Sequence, residues 1–363
     1  GEVAGRLADP TWQKARLAAA TLQEIRPDVL LLNELDWDER GEGLRRFVAN
    51  FLAEGQGARA PLDYRYFYLP RVNTGEPSGH DLDRDGTVTT TPGSRAYGGD
   101  AFGYGEYPGQ YGMAVLSRYP IDLDRVRSFR TFLWKNLPGA WLPEGWYSDA
   151  ALEVLRLSSK THADVPIVID GRVVHFLVSH PTPPAFDGPE QRNRRRNHDE
   201  IRFWELYVAD GAQDWIVDDA GRRGGLGSAA FVIAGDLNAD PHDGASAGGA
   251  INRLLAHPRV QRAPAPRSPG GAEQARLQGG VNLGQRGDPA EDTADFGEAG
   301  AGNLRVDYVL PSVELPIAAS GVFWPLSSDP LFELVGTHPF PVSDHRLVWV
   351  DVRIDGPRHE GSQ

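Results

Sequence analysis

The 363-residue sequence contains no cysteine, which excludes disulfides, thiolate metal sites and a cysteine nucleophile together. Lysine is almost as scarce: Lys14, Lys135 and Lys160 are the whole supply, so arginine does nearly all the cationic work. No uninterrupted apolar run is long enough for a helix to span a bilayer, so no transmembrane segment is expected. Positive charge is also in deficit, with 37 Lys and Arg against 50 Asp and Glu and a formal net charge of -13. Nonspecific affinity for duplex nucleic acid comes mostly from phosphate neutralisation by Lys and Arg, so this balance argues against a nonspecific duplex-binding protein. It does not exclude a nuclease, because clustered carboxylates recruit divalent cations that then receive the phosphate. The chain opens on Gly1 with no Met and no basic-then-apolar leader, so either a targeting segment has been removed or the chain has been trimmed, and export is the expectation.

What is present is the composition of a soluble globular protein, 40% apolar and 24% charged. Two-sheet and α/β folds of this length can form one domain, so a single domain over residues 1–363, acting as a monomer, is expected. The most informative stretch runs from Phe231 to Asp240: an apolar run stops at Gly235 and then presents Asp236 and Asn238. It reads as a buried strand whose carboxyl end lies where α/β sheets place ligands, and strand alternation would point Asp236 and Asn238 to one face. A plain Asx-rich turn is the competing reading, and the companions of this stretch decide between them.

Four other strand ends carry chemistry. The apolar run from Val29 to Leu32 leads into Asn33 and Glu34, and a glutamate there is costly to bury unless paired or bound to metal. A strand from Arg172 to Ser179 ends at His180, followed by a loop that Pro181, Pro183 and Pro184 stiffen. Asp307 sits inside the otherwise apolar run from Arg305 to Leu310, and Ser343-Asp344-His345 precedes a strand from Arg346 to Val350.

Around these, Asp9-Pro10 reads as an N-cap and first helical residue, opening a helix to about Ile25, and a second helix covers Gly43 to Leu52. Further strands are expected from Tyr111 into Ser117, from Ala151 to Leu157 and from Val165 to Ile169, the last joined to Arg172 by an Asp170-Gly171 hairpin. A helix starts at Asp187-Gly188-Pro189 and runs to about Ala209, and Arg192 in its first turns is a candidate contact for a substrate phosphate. Lys160 and His162, read as the start of a loop between strands, are similar candidates. Trp134, Trp141, Trp146 and Tyr147 are assigned to packing. Residues 73–109 form a long functional or mobile loop, in which Asp81, Asp83 and Asp85 alternate before Gly86 as in the first half of a calcium loop. Pro92 occupies the twelfth position, so a complete EF-hand is excluded and a looser structural Ca²⁺ site is left. Residues 263–302 read as a long surface loop.

Taken in order, Leu32-Asn33-Glu34, the stretch from Tyr111-Gly112 to Pro120, Ser179-His180, Gly235-Asp236-Leu237-Asn238, Val306-Asp307-Tyr308 and Ser343-Asp344-His345 resemble the endonuclease/exonuclease/phosphatase superfamily of metal-dependent phosphoesterases. The resemblance implies a four-layer α/β/β/α sandwich, with two mixed sheets face to face and the site at one edge; the residue pattern alone gives mixed α/β with antiparallel hairpins. It also implies Glu34 as main ligand for Mg²⁺ or Mn²⁺, Asp344 as second carboxylate, and Asp236 orienting the attacking water. Asn238 and His180 would donate to phosphoryl oxygens, with His345 against the phosphate and Asp307 fixing an imidazole. Members of this superfamily begin with a strand ending in a metal-binding Asn, which is expected upstream of residue 1. Substrates of the superfamily include nucleic acids, inositol phosphates and sphingomyelin, and the fold does not choose among them. Acidic charge favours a small phosphoester; a secreted nonspecific nuclease and a noncatalytic binding module are the alternatives.

Overall fold

The computed structural model describes residues 2–211 and 213–354. Strand β1 (Val29–Asn33) is apolar on both faces, and the two faces find different partners. With β2 (Tyr66–Tyr68) and β3 (Met113–Ser117) it forms an antiparallel sheet in the order β1-β3-β2. A larger sheet is built from β4 (Arg127–Ser128), β5 (His162–Ile169), β6 (Arg172–Ser179) and β7 (Phe231–Asp236). The ribbon of β8 (Ala294–Asp295) and β9 (Asn303–Leu304) comes next in the chain, then β10 (Asp307–Pro311), which joins the larger sheet to give the order β10-β7-β6-β5-β4. A second ribbon pairs β11 (Ile317–Val322) with β12 (Val348–Val352).

Alternation explains the layers. Val29 and Leu31 of β1 and Val115 of β3 meet Val165 and Ile167 of β5, Phe176 and Val178 of β6 and Ala234 of β7, so the two sheets share one apolar interface. Leu30, Ala114 and Leu116, on the opposite face, pack under the amino-terminal helices α1 (Glu2–Arg6), α2 (Gln13–Ile25) and α3 (Glu42–Phe47). After the short α4 (Arg95–Asp100) and α5 (Asp149–Leu152), helices α6 (Arg192–Tyr207) and α7 (Ala250–Leu255) cover the outer face of the larger sheet against Leu177, Ile233 and Leu310. The chain is a four-layer α/β/β/α sandwich, and among the named strands of the described residues only β6 and β7 pair in parallel.

The expected hairpin is present, with Asp170 at φ 48° and Gly171 at φ 80° as a tight primed turn requires. Several elements differ from expectation. Helix α2 starts at Gln13 and not at Pro10, because the Asp9 carboxylate is taken by the backbone N–H of Thr11 at 2.8 Å and its hydroxyl at 2.7 Å. That local turn competes with capping. The second helix runs Glu42–Phe47 and continues as a wider turn, Val48–Leu52. The stretch expected as a strand from Ala151 to Leu157 begins instead inside α5, capped by Ser148, whose Oγ accepts the Ala151 N–H; its end meets residues 132–134 in an isolated bridge at Arg156, with the Trp134 N–H donating to Leu155 O and the Leu157 N–H to Phe132 O. Helix α6 begins at Arg192, later than expected, with the Asp187 carboxylate accepting the N–H groups of Asn193 and Arg194. Residues 263–302 are not a bare loop. They fold into α8 (Pro269–Gln278), opened by Ser268 as cap and Pro269 at its first turn, two short 3-10 turns and β8, whose partner β9 follows directly at Asn303.

Candidate active site

Strands β7 and β10 lie side by side, antiparallel, with Asp236 directly paired to Asp307. Two facing carboxylates repel unless a cation stands between them. His345 takes that place: its Nδ1 is 2.9 Å from Asp307 Oδ2, and its Nε2 is 3.8 Å from Asp236 Oδ2. The Thr293 hydroxyl donates to Asp307 Oδ2 at 2.8 Å and accepts the N–H groups of Val306 and Asp307, which fixes the carboxylate. His180, at the end of β6, brings Nε2 to 3.3 Å from Asp236 Oδ2. This approach needs a glycine before the aspartate, since a Cβ on Gly235 would lie 2.0 Å from the Ser179 carbonyl oxygen.

The segment carrying His345 is held from the other side. The Asp295 N–H donates to Asp344 O, the Arg346 N–H donates to Thr293 O, and the His345 ring packs edge-on to Phe296 at 5.5 Å. All three supports come from residues 293–296, inside the stretch expected to be a loop.

Burial pulls the His345 imidazole toward neutrality, but the charges of Asp307 and Asp236 outweigh it and raise its pKa to about 10. Burial acts against the Asp236 charge as well, and His345 with the hydrogen bond to His180 overcomes it, holding the carboxyl down at about 2. Asp307 is pushed up, by burial and by its negative neighbour Asp236. At neutral pH the cluster therefore presents an ionised Asp236 and a protonated His345.

The other expected site residues fall into two groups. Asn238 comes to the same place as Asp236 by a left-handed turn at φ 52° rather than by strand alternation. Its backbone N–H donates to Asp236 Oδ1, and its Nδ2 donates to Pro181 O at 3.1 Å, which leaves one amide hydrogen uncommitted among the described residues. Glu34 closes β1 as an exposed residue at φ 60°, a backbone conformation uncommon outside glycine. Asp344 is half-buried beside His345 and adds to the charge acting on it. Lys160 is buried among Glu200, Glu34 and Asp236, and burial pushes its ammonium pKa down.

His162 and Arg192 do not reach this cluster. His162 is the first residue of β5 and lies in the core, with Nδ1 on the Ser158 hydroxyl, Nε2 on the Glu200 carbonyl, and its ring against Phe203 and Trp204. Arg192 donates to Leu82 O at 2.8 Å and stacks over Trp146. In the acidic loop, Asp81 and Asp83 come together with Asp100, their oxygens within 4.8 Å of one another, while Asp85 is exposed and accepts the Thr87 N–H. Sequence reasoning missed Asp100, because it arrives from α4, and missed Thr293 and Phe296, because two-residue strands leave no periodicity to read.

Glu34 and Asp344 carry the carboxylate oxygens that a hard divalent cation takes, and Asn33 Oδ1, next to Glu34, is buried without a hydrogen-bond partner among the described residues. Neither carboxylate belongs to a group of three or more acidic or histidine side chains whose ligand atoms converge within 4.8 Å among the described residues. Asp236, Asp307 and His345 do bring ligand atoms within 4.8 Å, but the bonds among them account for that closeness as a proton network.

Residues 11–345 match the family described as Endonuclease/Exonuclease/phosphatase family. No curated protein matches the chain at significant similarity. Among solved structures, an endonuclease/exonuclease/phosphatase from Beutenbergia cavernae DSM 12333 superposes with a TM-score of 0.51 at 19% identity, covering 94% of this chain and 66% of that one. An endonuclease/exonuclease/phosphatase family protein from Leptotrichia buccalis C-1013-b gives 0.46 at 14% identity, with 97% of each chain covered. Sphingomyelinase C from Streptomyces griseocarneus gives 0.41 at 17% identity, covering 94% of this chain and 88% of that one. With a match from residue 11 to residue 345 and the four-layer sandwich in place, the chain belongs to the endonuclease/exonuclease/phosphatase family.

Proposed function

We propose that the chain is a divalent-metal-dependent hydrolase that cleaves a small phosphomonoester or phosphodiester by in-line attack of water at phosphorus. The observation that supports this most is the meeting of Asp236, Asp307, His345 and His180 at one end of the larger sheet. An ionised Asp236 orients the water and accepts its proton. His180 and the protonated His345 donate to the phosphoryl oxygens, where negative charge grows, and the uncommitted Asn238 amide hydrogen adds a third donor. Asp307 and Thr293 keep His345 in one orientation and in its charged form. Glu34 and Asp344 would hold Mg²⁺ or Mn²⁺, which when bound polarises the phosphoryl group and compensates charge on the leaving oxygen. The net charge of -13 favours a small substrate over a long polyanion.

The test is hydrolysis of bis-p-nitrophenyl phosphate beside p-nitrophenyl phosphate, with added Mg²⁺ and with chelator. Turnover that chelator abolishes is the expected result, and the preferred ester tells diesterase from monoesterase. Turnover unaffected by chelator would contradict the metal requirement, and cleavage confined to plasmid DNA would favour the nuclease.

A further inference from the structure

Helix α6 buries polar groups on the face that meets the site. Asn197 and Glu200 lie three residues apart on one side of the helix, each 1% exposed, and Trp204 continues the same stripe. An apolar stripe would pack this helix on the sheet at less cost, because a buried carboxylate must be hydrogen-bonded and neutralised to be tolerated.

The partners of these groups are the backbone of the catalytic segments. Asn197 Nδ2 donates to Thr182 O and to Leu237 O, both at 2.9 Å. Leu237 stands between Asp236 and Asn238, and Thr182 follows His180 by two residues. Glu200 Oε2 accepts the Thr182 N–H, and its Oε1 accepts the Ser159 N–H, both at 2.6 Å. Trp204 Nε1 donates to Ser179 Oγ at 2.8 Å, on the other side of His180. One helix face thus ties the segment flanking His180, the turn carrying Asp236 and Asn238, and the residue next to Lys160.

We propose that Asn197 and Glu200 are positioning residues, which set the His180 loop and the Asp236–Asn238 turn at the mutual spacing that lets both act on one phosphoryl group. The proposal rests on the phosphoesterase reading of the site. Neither residue touches substrate; they act through the backbone of Thr182, Leu237 and Ser159.

Two near-isosteric variants of the full chain test this. In Glu200→Gln one of the two accepting oxygens becomes an amide nitrogen, so one backbone N–H loses its partner; in Asn197→Asp the carboxylate cannot donate to either carbonyl. For each, kcat and KM on bis-p-nitrophenyl phosphate are measured with the thermal midpoint and with hydrogen–deuterium exchange of peptides covering residues 179–184 and 235–240. The expected result is a kcat lower by about 10- to 100-fold with KM changed by less than about threefold. Exchange in those two peptides should rise by about tenfold below the unfolding transition, with the rest of the chain unchanged. If Asn197→Asp fails to fold, Asn197→Ser, which keeps a shorter hydroxyl donor, carries the same expectation. Wild-type kcat with wild-type exchange in a folded variant would overturn the positioning role. No turnover by the wild type of bis-p-nitrophenyl phosphate, p-nitrophenyl phosphate or plasmid DNA would overturn the phosphoesterase reading instead, and unchanged exchange in the variants would still overturn the positioning role on its own.

Discussion

His345 holds apart two carboxylates that the sheet register forces together. Replacing it by alanine leaves Asp236 facing Asp307 without a cation, and removes a donor from the phosphoryl group. His345→Ala should lower turnover by about 10²–10⁴-fold, measured as kcat with saturating metal; unchanged turnover would place the chemistry elsewhere. His162 shows the opposite behaviour. Burial holds its pKa at about 4, below the ordinary 6.5, so the ring is neutral in the fold and takes up a proton more readily when unfolded. A depressed pKa contributes stability that is complete above pH 6.5 and is lost as pH falls toward 4, on the order of 3 kcal/mol for a shift of this size. Urea unfolding of the wild type and of His162→Gln at pH 7.5 and 4.5 isolates the effect: the wild type should lose more stability on acidification than the variant. Equal losses would mean that His162 is not held neutral. A histidine's neighbours in the chain do not say whether its ring faces solvent or core, which is why His162 looked like a substrate contact and proved to be a core residue.

At the scale of elements, the site depends on how β6 and β7 end. Gly235 lets Asp236 pass close to the Ser179 carbonyl, where a Cβ would stand at 2.0 Å. Gly235→Ala must therefore push the two strand ends apart, and should cost several kcal/mol of stability together with most of the activity. Chemical denaturation and the turnover assay check both, and a stable, active variant would show that the strand ends can shift freely. Strand ends were also the most legible part of the site. His180, Asp236 and Asp307 stood out because a polar residue terminating or interrupting an apolar run has no packing explanation. The support for His345 was not legible, because β8 and β9 are two residues each and a run that short has no period. The Ser268-Pro269 pair that opens α8 was a readable start signal within the same stretch. The strand expected over Ala151 to Leu157 gave way to a capped helical turn, since Ser148 supplied a cap and Ala, Leu and Glu favour helix.

For the whole molecule, the sandwich brings chain segments far apart in sequence to one edge: His180 from β6, Asp236 from β7, Asp307 from β10 and His345 ahead of β12. The composition of the layers followed from alternation in apolar strands, but which strands became neighbours came from pairing that no local pattern encodes. The central claim is that this edge hydrolyses phosphoesters through Asp236. It is tested most directly by Mg²⁺-dependent turnover of bis-p-nitrophenyl phosphate, comparing the wild type with an Asp236→Ala variant shown to be folded. The account predicts measurable wild-type turnover that falls by about 10²–10⁴-fold in the variant; equal turnover in the two proteins would contradict it.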